Sequence, residues 1–109
     1  LTDSGLNALD SAVALYQKVR QLKSTLPKGA LVGTVFTKAG EAPNIIPDEA
    51  QLHMTVRGAT VDDLENRVLP AIKAAAQEVA NQEGTQVDMR HYESLLKDMR
   101  QDACLLKLF

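Results

Sequence analysis

Six side chains in the 109-residue chain have types and spacings that bear on chemistry: Asn44, His53, Arg57, Asp88, His91 and Cys104. Asn44 sits in Thr37-Lys38-Ala39-Gly40-Glu41-Ala42-Pro43-Asn44-Ile45-Ile46-Pro47-Asp48, where two prolines pin a loop around an apolar pair. Its simplest role is to turn the chain by hydrogen-bonding its own backbone. Arg57 follows thirteen residues later, at the end of an alternating stretch and on its polar face. A loop amide and a strand-end guanidinium would together grip a carboxylate, the arginine bidentately; a solvated strand-end charge is the plainer account. His53 lies on the same polar face, placed either to join such a site or simply to meet solvent.

Metal and nucleophile chemistry is thinly represented. His53 and His91 are the only histidines, and no H-x-D, H-E-x-x-H or C-x-x-C spacing occurs. Asp88 and His91, three apart across a strand end, are badly placed to share one ion. Cys104 lies in an apolar stretch with no histidine beside it, which suits a core residue better than a nucleophile. There is no glycine-rich phosphate loop, no G-x-S-x-G and no set of aromatic residues for stacking. Taken alone, the chain carries no complete active site.

The elements that must position these residues follow from periodicity. Residues 6–26 read as a helix with Leu9, Ala12, Val13, Tyr16, Val19 and Leu22 or Lys23 on one stripe, capped by Asn7 with Asp10 in the first turn and stopped by Pro27 and Gly29. Residues 30–38 are rich in β-branched types and read as a strand. Residues 49–57 alternate, with Ala50, Leu52, Met54 and Val56 toward a core and Gln51, His53, Thr55 and Arg57 away from it. Thr60 opens a second helix with a stripe of Leu64, Val68, Ala71 or Ile72, Ala75 and Val79, and Gly84 closes it. Pro70 falls inside that helix, where a proline costs ~3 kcal/mol, so a kink or break is expected near Val68–Leu69. Val87 and Met89 mark a third strand over 85–90. Leu95, Met99, Ala103 and Leu106 suggest a last helix from Ser94 onward.

Composition narrows the class. One domain is expected at this length, and six Gly, four Pro and one Cys exclude collagen, disorder and disulfide scaffolds. A net charge of −2 with no basic block argues against nucleic acid and against a polybasic membrane patch. No apolar run approaches the ~20 residues of a membrane helix. The lone cysteine is compatible with a reducing compartment, and the cytoplasm is the expectation.

The order helix, strand, strand, helix, strand, helix is the ferredoxin-like split βαβ pattern without its opening strand. The expected fold class is therefore α+β, a two-layer sandwich of antiparallel sheet and two helices, lacking its first strand. That strand sits in the middle of the sheet, so its loss would leave two strands with unpaired backbone groups. Sequence upstream of Leu1, another chain, or closing-up of three strands under a C-terminal cover would resolve this, the first being the most economical. A complete three-stranded α+β domain of another topology is the remaining alternative.

Three segments carry a resemblance: Gly5-Leu6-Asn7-Ala8-Leu9-Asp10-Ser11-Ala12-Val13, Gly40 to Asp48, and Val56-Arg57-Gly58-Ala59-Thr60. Together they resemble the dimerisation (lid) domain of the peptidase M-twenty family of zinc metallopeptidases. That family includes aminoacylase, carboxypeptidase G and succinyl-diaminopimelate desuccinylase. The nearest branch is that of amidohydrolases and dipeptidases, including the aminobenzoyl-glutamate hydrolases. The resemblance spans about residues 5–92. It implies a ferredoxin-like lid inserted into a catalytic domain that holds two zinc ions, with lids pairing into a homodimer through a helix and an edge strand. It also implies that Asn44 and Arg57 bind the substrate's carboxylate or scissile carbonyl region. The family's first lid strand and the His-Ala motif before G-x-N-A are missing. Metal ligands and the general base would lie in the catalytic domain, with residues 93–109 as a helix returning to it.

Two functional expectations result. The first is the lid, residues 1–92, of a zinc-dependent amidohydrolase or dipeptidase that hydrolyses N-acyl amino acids or dipeptides, with no metal or cofactor in this chain. The second is a free-standing, non-catalytic α+β module that associates through the strand of residues 30–38. Neither involves nucleic acid or a membrane.

Overall fold

A computed structural model describes residues 7–43, 46–92 and 101–109. The chain runs α1 (Ala8–Leu22), a short 3-10 turn (Lys23–Thr25), β1 (Leu31–Lys38) and β2 (Ala50–Arg57). A second helical run then begins at Val61, passes through a π-turn at Leu64–Val68 and continues as α2 (Leu69–Glu83), before β3 (Val87–Tyr92) and β4 (Gln101–Leu108). The four strands form one sheet in the order β1-β2-β4-β3, with every neighbouring pair antiparallel. The fold is α+β with two layers.

The helices start where their capping residues allow. The Asn7 side chain accepts hydrogen bonds from the Leu9 and Asp10 amides, at 3.0 and 3.2 Å, and Thr60 accepts from the Asp63 amide at 3.0 Å. Gly84 closes α2 with φ of 75°, a left-handed conformation that glycine adopts without strain. Pro70 has its expected consequence. It offers no amide to the Asn66 carbonyl, and its ring would crowd that carbonyl in a regular helix. The preceding turn widens instead, with the Leu69 amide reaching back five residues to the Leu64 carbonyl.

One face of the sheet meets both helices. Ala50, Leu52, Met54 and Val56 of β2 and Cys104, Leu106 and Leu108 of β4 are fully buried against Leu15 and Val19 of α1 and Ile72 and Val79 of α2. The buried stripe of α1 is Ala8, Ser11, Ala12, Leu15 and Val19. It is rotated from the expected one, since Val13 and Tyr16 stand exposed while Tyr16 leans toward Phe36 of β1 with ring centroids 5.9 Å apart. Ser11 is the one polar residue of that stripe, and it shares a 3.0 Å hydroxyl–hydroxyl bond with Thr85.

The last element corrects the sequence reading. Residues 101–108 are a strand, not part of a helix over 93–109, and β4 pairs with β2 along its whole length and with β3 beyond it. It thereby occupies the central slot that the split βαβ scheme gives to its opening strand. Among the described residues the sheet has four strands, and one of its two interior strands comes last in the chain instead of first. Neither an upstream segment nor a second chain is required to close it, and the three-strand closure does not occur. Residues 93–100, the first part of the expected helix, lie outside the described residues.

Leu106 distinguishes a central strand from an appended helix. Leu106→Ala should lower stability by about 2–5 kcal/mol in urea unfolding, the usual range for a buried leucine. A loss under about 1 kcal/mol would place residues 101–108 outside the core.

Candidate functional site

The sheet face away from the helices carries three of the six residues singled out from the sequence, His53, Arg57 and Asp88. Arg57 ends β2 on this face, exposed, between Leu31 of β1 and Gln101 of β4. The residue order of β2 places it there, because positions 50, 52, 54 and 56 are committed to the core. Just beyond it, Gly58 allows the second helical run to begin against the strand end. A Cβ on Gly58 would stand 2.7 Å from the Leu64 nitrogen and 2.8 Å from the Thr60 oxygen. His53 is exposed on the same face between Val35 and Leu105, four residues and about 14 Å along the strand from Arg57. The two do not converge on one small anion.

Asn44 and Ile45 lie outside the described residues. The loop residues around them, Pro43, Ile46 and Pro47, border a cavity of about 410 Å³ together with Asn7 and Leu9 at the start of α1. The Ala8 amide fixes the loop there with a 3.1 Å bond to the Pro47 carbonyl. This is the end of β2 opposite Arg57, about 24 Å away along an eight-residue strand. Within one chain, the described part of the loop and Arg57 therefore share no ligand.

The remaining outward charges of the sheet are largely paired. Glu49 sits between Lys38 at 3.4 Å and Lys107 at 4.0 Å, and accepts from the Gln51 amide at 2.9 Å. That amide bond first, and the two lysines after it, hold the Glu49 carboxyl below its usual range. Arg90 and Asp88 approach to 3.8 Å on the outer face of β3. Asp88 thus points away from the helices while His91, three residues on, points toward them, so the pair cannot ligate one ion. Among the described residues no three metal-ligating side chains cluster. The donor set does not fit the zinc pair implied by the resemblance, which would be held outside the described residues.

Cys104 is a core residue. It is fully buried between Met54 and His91 in the sheet register. Burial, helped by the nearby Asp102 charge, pushes its thiol up to about 11.

The sequence reading missed a contact between strands. The Nε2 atom of His91 hydrogen-bonds the Asp102 carboxylate, which is buried at the inner start of β4. His91 also lines a cleft of about 560 Å³ with Glu65, Leu69, Pro70, Lys73 and Met89, beneath the π-turn and the start of α2. The signal available was the inward phase of Val87 and Met89, which His91 continues. Its partner was not visible while residues 101–108 were read as helix.

Comparison with models of protein families, with curated proteins and with solved structures found no match to this chain. No helix among the described residues is long and apolar enough to cross a membrane.

Two measurements follow from this geometry. Gly58→Ala should cost about 1–3 kcal/mol, because a methyl group there meets backbone and not a movable side chain; an unchanged melting curve would refute the close approach. Cys104 should resist alkylation at pH 8 until the chain unfolds. The unfolded thiol ionises from about pH 9.0 and the folded one near 11. The unfolded state therefore binds fewer protons between those values, and stability should fall as pH rises through that window. Rapid native-state alkylation would contradict the burial.

Proposed function

We propose that this chain is the dimerisation and substrate-positioning lid of a zinc-dependent amidohydrolase or dipeptidase acting on N-acyl amino acids or dipeptides. The observation that carries the proposal is the outer edge of β1. Among the described residues this eight-residue strand ends the sheet with no strand on its outer side, and Leu31 and Val35 are each 62% exposed. Val13 and Tyr16 of α1 add exposed apolar surface, with Tyr16 beside β1. A helix and an edge strand presented together suit isologous pairing with a second copy, the pairing the resemblance implies.

In this reading Arg57 binds the substrate carboxylate and Asn44 the region of the scissile carbonyl. Antiparallel pairing of two β1 strands sets the Arg57 end of one copy near the loop end of the other, separated by about two strand spacings, ~10 Å. One substrate would then be held between subunits, a positioning and electrostatic role. The zinc ions would activate water at the amide carbonyl from the parent protein's catalytic domain. The proposal sets the protein in the cytoplasm, whose reducing conditions suit a lone buried thiol.

A second reading, a self-contained oligomerisation module, is favoured by one observation: β4 fills the central slot of the sheet from residues of this chain. The encoding sequence on either side separates the two. An H-x-D followed by acidic ligands upstream supports the lid, and its absence sinks that reading while leaving the module.

Pairing itself is tested by light scattering over a concentration series. The chain should be dimeric at high micromolar concentration, and Val35→Lys, which puts a charge on the edge face, should shift it to monomer while leaving the melting temperature unchanged at low micromolar concentration, where both chains are monomeric. A wild-type chain that stays monomeric throughout would overturn both readings.

A further inference from the structure

The cleft below the π-turn has features that the lid reading does not use. It is bounded by Glu65 of the π-turn, Leu69, Pro70 and Lys73 of α2, and Met89 and His91 of β3. Its volume of about 560 Å³ lies within the roughly 300–1,000 Å³ of small-ligand sites. The wall is apolar where Leu69, Pro70 and Met89 form it. A π-turn placed on such a wall is a recurrent companion of binding sites, because it displaces side chains from the regular helical register.

The polar groups of the cleft are the informative ones. Several polar groups of the same helical run have partners: Arg67 approaches Asp63 to 3.9 Å, Asn66 donates to Asp62 at 2.7 Å, and Lys18 of α1 reaches Glu78 at 2.9 Å. Among the described residues, Glu65 and Lys73 form no ion pair, with each other or with any third group. Eight residues separate them, about 12 Å along the helical run. That distance is too long for a direct bridge, and suits an occupant that carries both charges several ångströms apart. His91 is held from behind by Asp102, a buried carboxylate that fixes the ring. With Nε2 engaged by Asp102, Nδ1 is the ring nitrogen left to meet an occupant, and it has no partner among the described residues. The cleft thus offers an anion and a ring nitrogen for an ammonium group, a cation for a carboxylate, and an apolar wall between them.

We propose that this cleft binds a small zwitterion with an apolar side chain, of amino-acid or dipeptide size. Glu65 and His91 take the ammonium group, Lys73 takes the carboxylate, and Leu69, Pro70 and Met89 receive the side chain. The assignment does not rest on the lid reading, since it uses neither Arg57 nor the loop of residues 39–49 nor the β1 edge.

The test is a titration of the 109-residue chain with L-leucine and with leucyl-leucine, following the His91 ring protons by NMR. Saturable shifts are expected with at least one of them, and the tighter ligand defines the size of the site. Glu65→Gln and Lys73→Gln should each weaken that ligand about tenfold or more, the loss of one charge-assisted contact, with unchanged melting temperatures because both side chains are exposed. N-acetyl-leucine, which lacks the ammonium group, should bind at least about tenfold more weakly than L-leucine and lose nothing further in Glu65→Gln. No saturable shift at tens of millimolar ligand would overturn the proposal. So would shifts that both substitutions leave unchanged.

Discussion

The fold depends on what fills the position between β2 and β3. An interior strand has neighbours on both sides, so an empty slot there would leave two facing rows of backbone N–H and C=O groups without partners. β4 fills it, giving hydrogen bonds to β2 over eight residue pairs and to β3 over six. Its inward side chains Cys104, Leu106 and Leu108 are fully buried in the core cluster to which both helices contribute. Without this strand β3 would have no partner, and the α2–β3 unit would be tied to the rest only through helix contacts and the Ser11–Thr85 bond.

The same strand organises the chemistry on its two faces. Inward, its first residues bring Asp102 to His91, which fixes an imidazole at the mouth of the cleft under the π-turn. Outward, Lys107 joins the Glu49 network, and Gln101 stands beside Arg57. Pro70 contributes from the other layer. By forcing the wide turn before it, the proline sets Glu65 on the cleft wall two turns before Lys73. A residue that looks like a defect in a helix thereby shapes the cavity beside it.

The edge proposed for pairing and the cleft lie on different parts of the molecule. β1 and the outer side of α1 form one edge of the sandwich, while β3 and the start of α2 form the other. Association through β1 would leave the cleft open, so the two properties can be assayed separately. Arg57 belongs to neither edge. It stands on the open sheet face, where Gly58 tucks the following helical run against the strand end.

Much of this was legible in the residues themselves. The alternation of 50–57, the Asn7 and Thr60 caps, the Gly84 stop and the disturbance before Pro70 are local, each set by backbone sterics or by a side chain bonding its own neighbourhood. Those determinants need no partner. The identity of residues 101–108 was not local. Ala103-Cys104-Leu105-Leu106 is a continuous apolar run, and such a run satisfies a helix or a central strand equally until its neighbours are known. The exposed side of α1, the inward position of Asp102 and the cleft that depends on it were likewise decided only when strands distant in sequence became neighbours. Sequence alone therefore determined the elements from α1 to β3 and the polar face that holds His53 and Arg57; the tertiary structure decided that residues 101–108 are a strand and that this strand is interior. It did so because unpaired backbone groups in a sheet interior cost more than any local preference of the segment that satisfies them.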